Sequence, residues 1–419
     1  MNFRTQILGA IFGILALSGV FAEEPQKPNI VFVLCDDLGY GDVQCLNPEK
    51  GKILTPAVDR LAREGMIFTD AHSGSSVCTP TRYGLLTGRY SWRTRLQRGV
   101  VQGFAPCLID PDRPTVASFV KQQGYHTAIL GTWHLDFQYL DPETSEMLTA
   151  ENKKSLPPVG ARIPDGPLQH GFDYFHGFHH AGSMKSVIEN DAVIMHDDEI
   201  NMLPRLSRKA IEYIDGRAKE DSKQPFFLYV PFGSPHTPIV PTKPWQGKSG
   251  LGSYADFVME TDDGFGGILK ALDRNGFTEN TLVIFSADNG CSRAAGIKKL
   301  QKQGHYPSAH MRGSKTDLWR RTSCPFHRAL ARQNKTRLKV GPTDLLDRPD
   351  GDLFGAVKDS FTRRHRRRQR QLSTGVQRRC DCFDSQGNRS SFRKWSFLLP
   401  PGQVETVALQ RIRRLVLTQ

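Results

Sequence analysis

The stretch Pro28-Asn29-Ile30-Val31-Phe32-Val33-Leu34-Cys35-Asp36-Asp37 decides the fold. Its apolar part does not alternate with polar residues and is rich in β-branched side chains, which suits a strand buried on both faces. A strand of that kind needs helices above and below it, and the chain supplies them. Pro56 to Gly65 reads as a helix, with Ala57, Leu61 and Ala62 on one face, Pro56 at its start and Gly65 at its end. Thr115 to Gln123, Leu203 to Ala218 and Tyr254 to Asn275 carry the same 3.6-residue period. Between them, Tyr125 to Leu130, Pro225 to Val230 and Thr281 to Ser286 read as further strands. Strands alternating with helices predict an α/β fold: a mostly parallel sheet with helices on both faces. In such sheets the active site lies beyond the carboxyl ends of the strands.

With 419 residues and 38% hydrophobic content, the chain can build two or three domains and is neither disordered nor a polytopic membrane protein. Its net charge of +13 is unevenly placed. Residues 320–419 hold 23 Lys/Arg against 8 Asp/Glu, whereas residues 1–319 hold 33 against 35. The average therefore does not imply a nucleic-acid partner. At the other end, Arg4, the apolar run Ile7 to Phe21 and the small residue Ala22 read as a signal peptide over residues 1–22. That predicts a secreted or periplasmic protein, with no membrane attachment after cleavage. The eight cysteines (35, 45, 78, 107, 291, 324, 380, 382) lack metal-knuckle spacing; a disulfide among the first five is open.

Three strands end in residues with chemistry. The first ends in Cys35-Asp36-Asp37, the last in Ala287-Asp288-Asn289-Gly290, and the strand at 225–230 runs into Ser234-Pro235-His236-Thr237-Pro238. Carboxylates and an amide are hard oxygen ligands for Ca²⁺ or Mg²⁺. Singly, each motif also suits a turn or a helix N-cap; together on one sheet edge they point to a metal site. The most specific motif is Cys78-Thr79-Pro80-Thr81-Arg82, followed by Leu85-Leu86-Thr87-Gly88-Arg89.

These motifs, with Gly131 to Leu135 and Arg312-Gly313-Ser314-Lys315, resemble the formylglycine-dependent sulfatases of the alkaline-phosphatase-like superfamily. The resemblance covers about Lys27 to Trp319 and assigns residues 23–319 to the catalytic α/β domain. It implies that Cys78 is oxidised to formylglycine by a sulfatase-maturing enzyme. It further implies a metal site of Asp36, Asp37, Asp288, Asn289 and the modified Cys78, holding Ca²⁺ or, alternatively, Mg²⁺. Arg82 would hold the hydrated aldehyde, His236 would protonate the leaving oxygen or bind sulfate, His134 would assist aldehyde regeneration, and Lys315 would bind a sulfate oxygen. The implied substrate is an aryl or carbohydrate sulfate ester, hydrolysed to alcohol and sulfate. A phosphodiester or phosphonate hydrolase of the same superfamily, or an inactive remnant, is the alternative.

Two departures stand out. The family reads Gly-Lys-Trp-His-Leu where this chain reads Gly131-Thr132-Trp133-His134-Leu135, so a cation expected at the sulfate is a hydroxyl. After Trp319 the α/β pattern stops. Nineteen of the 23 basic residues from 320 onward are Arg, including the run Arg363-Arg364-His365-Arg366-Arg367-Arg368. Codons can be chosen for Arg320 to Gln333 that, read one nucleotide later, spell Gly-Gly-His-Arg-Val-Pro-Phe-Ile-Val-Arg-Trp-Pro-Gly, the continuation the family has. Asp344 to Phe354 behave likewise. Residues 320–419 are therefore expected to be an out-of-frame, poorly ordered tail in place of a C-terminal domain. Its basic run then says nothing about nucleic acid.

Overall fold

A computed structural model describes residues 27–68, 71, 73–149, 156–220, 224–311 and 314–315, and the backbone of 330–332. The expected signal peptide lies outside the described residues, as does the tail apart from those last three. No described helix is long and apolar enough to cross a membrane.

The opening stretch forms strand β1 (Asn29–Asp36) at the centre of a nine-stranded sheet. β7 (Phe226–Pro235) and β8 (Thr281–Ala287) flank it, both parallel, and β3 (His126–Thr132) and β4 (Tyr174–Phe178) extend the parallel run beyond β7. One edge finishes in the antiparallel strands β5 (Ser186–Glu189) and β6 (Ala192–His196). The other finishes in β9 (Leu330–Arg332), antiparallel to β8, and β2 (Met66–Ile67).

The continuous apolar run of β1 is explained by what each face meets. Val31, Val33 and Cys35 point into one core with Leu228, Val230 and Phe285. That core is covered by α1 (Pro56–Glu64), α4 (Met202–Lys219) and α5 (Ser253–Arg274), through Val58, Leu61, Leu206, Ile214, Ile268 and Leu272. Ile30 and Leu34 point the other way, with Ile129, Phe227 and Tyr229. There they meet α2 (Cys78–Thr87) and α3 (Val116–Gln122), through Tyr83, Leu86, Val116 and Val120. Each fully buried Leu or Val in these layers contributes about 1.5–3 kcal/mol. A sixth helix, α6 (Ile297–Lys302), sits beyond β8.

Candidate active site

Sheet register assembles the site. Cys35 pairs with Ala287, so Asp36-Asp37 and Asp288-Asn289 leave the sheet side by side. On the other flank Asp36 pairs with Pro235, which brings His236 up beside Asp37. Asp37 takes a left-handed conformation, φ 63°, which Asp tolerates better than most residues. Its backbone N–H donates to Asp288 Oδ1 at 3.3 Å, and Asn289 Nδ2 donates to Asp37 Oδ1 at 2.6 Å. Asp36, Asp37, Asp288 and Asn289 are all buried.

α2 brings the next two groups. Cys78 is its first residue and Pro80 lies in its first turn, where the missing N–H costs nothing. Cys78 and Arg82 are one turn apart and share a face, which is what the Cys-x-Pro-x-Arg spacing achieves. Cys78 Sγ lies 3.3 Å from Asp36 Oδ1. Arg82, fully buried, donates through Nη2 to Asp36 Oδ2 at 3.1 Å and Asp288 Oδ2 at 2.9 Å, and through Nη1 to the carbonyl of Thr132 at 3.0 Å. Lys315 Nζ reaches Cys78 Sγ at 2.9 Å and Asp37 Oδ1 at 2.8 Å. His236 Nε2 stands 3.6 Å from Asp37 Oδ2, and its Nδ1 lies 2.6 Å from the carbonyl of Thr237. One ligand atom from each of Asp36, Asp37, Cys78 and His236 falls within 4.8 Å of the others.

Burial and charge set the protonation pattern. Burial would push the Asp36 carboxyl up, but the opposing charges of His236, Arg82 and Lys315 outweigh it and hold it below the usual carboxylate range. Asp37 goes the other way, through burial and its neighbour Asp36. Burial, with Asp36 next to it, pushes Asp288 up to about 7. Burial and the Asp36 and Asp288 charges push the Cys78 thiol well up, so an unmodified Cys78 is a thiol and not the reactive thiolate.

His134 is placed differently from the other residues named by the sequence. It sits just past β3 with φ 55°, its N–H donating to the carbonyl of His179 at 2.6 Å. Its Nε2 meets the carbonyl of Val101 at 3.2 Å, and its ring faces His179 and His180 at 6.1 and 5.5 Å between centroids. Its link to the cluster is electrostatic: burial, then Arg82 and His179, hold its pKa well below the ordinary histidine value. Sequence reading did not single out His179 and His180. The signal was a histidine pair immediately beyond β4, a strand that the apolar pattern did not reveal. Thr132 is buried at the end of β3, and its Oγ1 finds no hydrogen-bond partner among the described residues. No disulfide joins Cys35, Cys45, Cys78, Cys107 and Cys291, so the pairing left open among them is not formed.

The family model described as Sulfatase matches residues 28–313. The chain belongs to the sulfatase family. It is 30% identical to an N-acetylgalactosamine-6-O-sulfatase of Bacteroides thetaiotaomicron, covering 78% of this chain and 73% of that one. It is 31% identical to human arylsulfatase A over 66% of this chain, but spans only 54% of that enzyme's length. A solved structure from Bacteroides thetaiotaomicron, described with that organism's metabolism of multiple glycosaminoglycans, superposes with a TM-score of 0.60 at 26% identity, covering 74% of this chain and 72% of its own.

The donor set of this sulfatase fits a divalent cation. Three buried carboxylates converge, and Asp37 Oδ2 accepts no hydrogen bond among the described residues. Asn289 presents Nδ2 to Asp37, so an oxygen-ligand role requires its amide to turn. With Cys78 as a thiol the set mixes O, N and S, which suits Zn²⁺; oxidation of Cys78 to an oxygen-bearing group shifts it towards the hard cations.

Proposed function

We propose that this site hydrolyses the sulfate ester of a carbohydrate, releasing alcohol and inorganic sulfate. The observation that carries the reading is Cys78, buried at the start of α2 between Asp36 and Lys315, where its thiol is not ionised. Oxidised to formylglycine by a maturing enzyme, position 78 supplies a hydrated aldehyde with two hydroxyls, one to displace the alcohol from sulfur and one to release sulfate. Asp36, Asp37, Asp288 and Asn289 would hold Ca²⁺, with Mg²⁺ as alternative, and the ion would supply positive charge to the bound sulfate.

The chain's own residues do the rest. Lys315 Nζ, between Cys78 and Asp37, binds a sulfate oxygen and offsets its charge. Arg82 ties Asp36 and Asp288 to the base of α2, fixing position 78 relative to the carboxylates. Val77 offers no capping side chain, so the first amides of α2 favour an anion there. His236, half-buried at the rim, gives a proton to the leaving oxygen. His134, by resemblance to the family, accepts one as sulfate departs. The carbohydrate preference is supported by the N-acetylgalactosamine-6-O-sulfatase relative. We infer a secreted or periplasmic location from the N-terminal pattern alone.

The test is sulfate release by the matured chain with Ca²⁺ from 6-O-sulfated N-acetylgalactosamine, an aryl sulfate and a phosphonate monoester. The sugar sulfate should be turned over fastest, and Cys78→Ala should abolish it. Faster phosphonate cleavage, surviving in Cys78→Ala, would replace this reading with the hydrolase that needs only metal.

A further inference from the structure

Beneath the metal loop lies a buried polar array that meets the proposed site only through the backbone of Asp37. Asp42 Oδ2 accepts from the Gly39 N–H at 2.7 Å and from the Tyr254 hydroxyl at 2.6 Å; Asp42 Oδ1 lies 2.7 Å from His305 Nε2. His305 Nδ1 accepts the backbone N–H of Lys52 at 3.0 Å, so the ring proton is on Nε2 and points at Asp42. The Tyr254 hydroxyl also lies 3.1 Å from the carbonyl oxygen of Asp37. With one proton to give, the hydroxyl donates mainly to Asp42 Oδ2 and shares the proton with the more distant Asp37 carbonyl, a three-centre contact that links the Asp37 backbone to Asp42, which is joined in turn to His305.

The array fastens two pieces of chain far apart in sequence. Gly41 N–H donates to the Pro307 carbonyl at 2.6 Å, and Asn47 Nδ2 to the Tyr306 carbonyl at 3.2 Å. A Cβ at Gly41 would fall 2.0 Å from the Tyr306 oxygen, so only glycine permits this approach. The segment so clamped leads on to Lys315. We propose that Asp42, His305 and Tyr254 are positioning residues: a buried brace that sets Asp37 and the Lys315-bearing segment relative to each other, so that the two sides of the site are held as one unit. The inference rests on the proposed function only for the metal arm of its test.

Amide hydrogen exchange of the full, metal-free chain reads the brace directly. Tyr254→Phe keeps the ring and removes one hydroxyl. Exchange in peptides spanning 37–47 and 305–311 should rise together by about fivefold, the factor one neutral hydrogen bond typically contributes. His305→Ala should do the same, whereas His305→Gln, which can still accept from Lys52 and donate to Asp42, should stay within about twofold of the parent on the same scale. Acceleration of one peptide without the other, or no change in Tyr254→Phe, overturns the proposal, as does a Gln variant as damaged as the Ala one. If His305→Ala does not fold, Tyr254→Phe decides. In a second arm, calorimetric Ca²⁺ affinity should fall about fivefold in Tyr254→Phe for the same reason. A parent that binds no Ca²⁺ removes the metal reading, and the exchange result then decides the brace alone.

Discussion

Asp36, Asp37 and Asp288 face two permanent cations, Arg82 and Lys315, and the position where the family carries a third is Thr132. A sulfate brought into this site adds negative charge that nearby cations must meet. Thr132 cannot supply a counter-charge, and its hydroxyl lies 3.3 Å from where a Cβ on Gly233 would stand, with Phe178 beside it. One preorganised charged donor at a developing anion is worth about 10²–10³ in rate. Thr132→Lys is therefore expected to raise kcat on an aryl sulfate by about that factor. Equal rates in the two proteins would show that Arg82 and Lys315 already meet the need. At this scale the site was legible because its residues follow strands and sit in short motifs. His134 was legible as a residue but not in its surroundings, since no local signal places it against His179. The Asp42–His305 contact, between residues 263 apart in the chain, has no sequence signature at all.

Among the elements, the long helices and central strands were readable for physical reasons. α3 has a capping box between Thr115 and Ser118, and β1, β7 and β8 are apolar enough to be buried on both sides. β4 to β6 were not readable: Tyr174–Phe178 contains a His and a Gly, and its pairing with β3 is what makes it a strand. Gly131 and Gly177 explain that pairing. Gly131 has φ 145°, and a Cβ there would lie 2.0 Å from the Pro231 oxygen, while one on Gly177 would lie 1.9 Å from the Gly131 oxygen. Three strands thus approach more closely than side chains allow, immediately below Thr132 and His134. Gly131→Ala should destabilise the protein by about 2 kcal/mol or more, measured by urea unfolding; a loss within experimental error would mean that the strands can part freely. At α3, Thr115→Ala removes both the cap and a 2.6 Å hydrogen bond to the His170 carbonyl, and should cost about 1–2 kcal/mol in the same assay.

For the molecule as a whole, metal, pH and stability are linked. Folded and metal-free, Asp288 and Asp37 hold their protons to higher pH than they do unfolded, Asp288 up to about 7. A cation needs them ionised and must displace those protons, so its affinity rises with pH through that range. Ca²⁺ at a hundredfold excess over its Kd stabilises by about 2.7 kcal/mol. The gain in Tm at one fixed Ca²⁺ concentration should therefore be larger at pH 8 than at pH 6, by calorimetry; a gain independent of pH would place the ion elsewhere. The tail is the other whole-molecule question. We propose that the arginine-rich segment from residue 320, beyond the family-model match at residues 28–313, is out of frame. Restoring the frame near the Trp319 codon should raise both Tm and sulfate turnover, and neither should change if the present tail is native.

The proposed chemistry depends on one modification. Mass spectrometry of the peptide containing Cys78, from chain coexpressed with a formylglycine-generating enzyme, should show a mass about 18 Da below the cysteine form. Sulfate release should scale with the converted fraction. A peptide that stays fully as cysteine while the protein still releases sulfate would contradict the account.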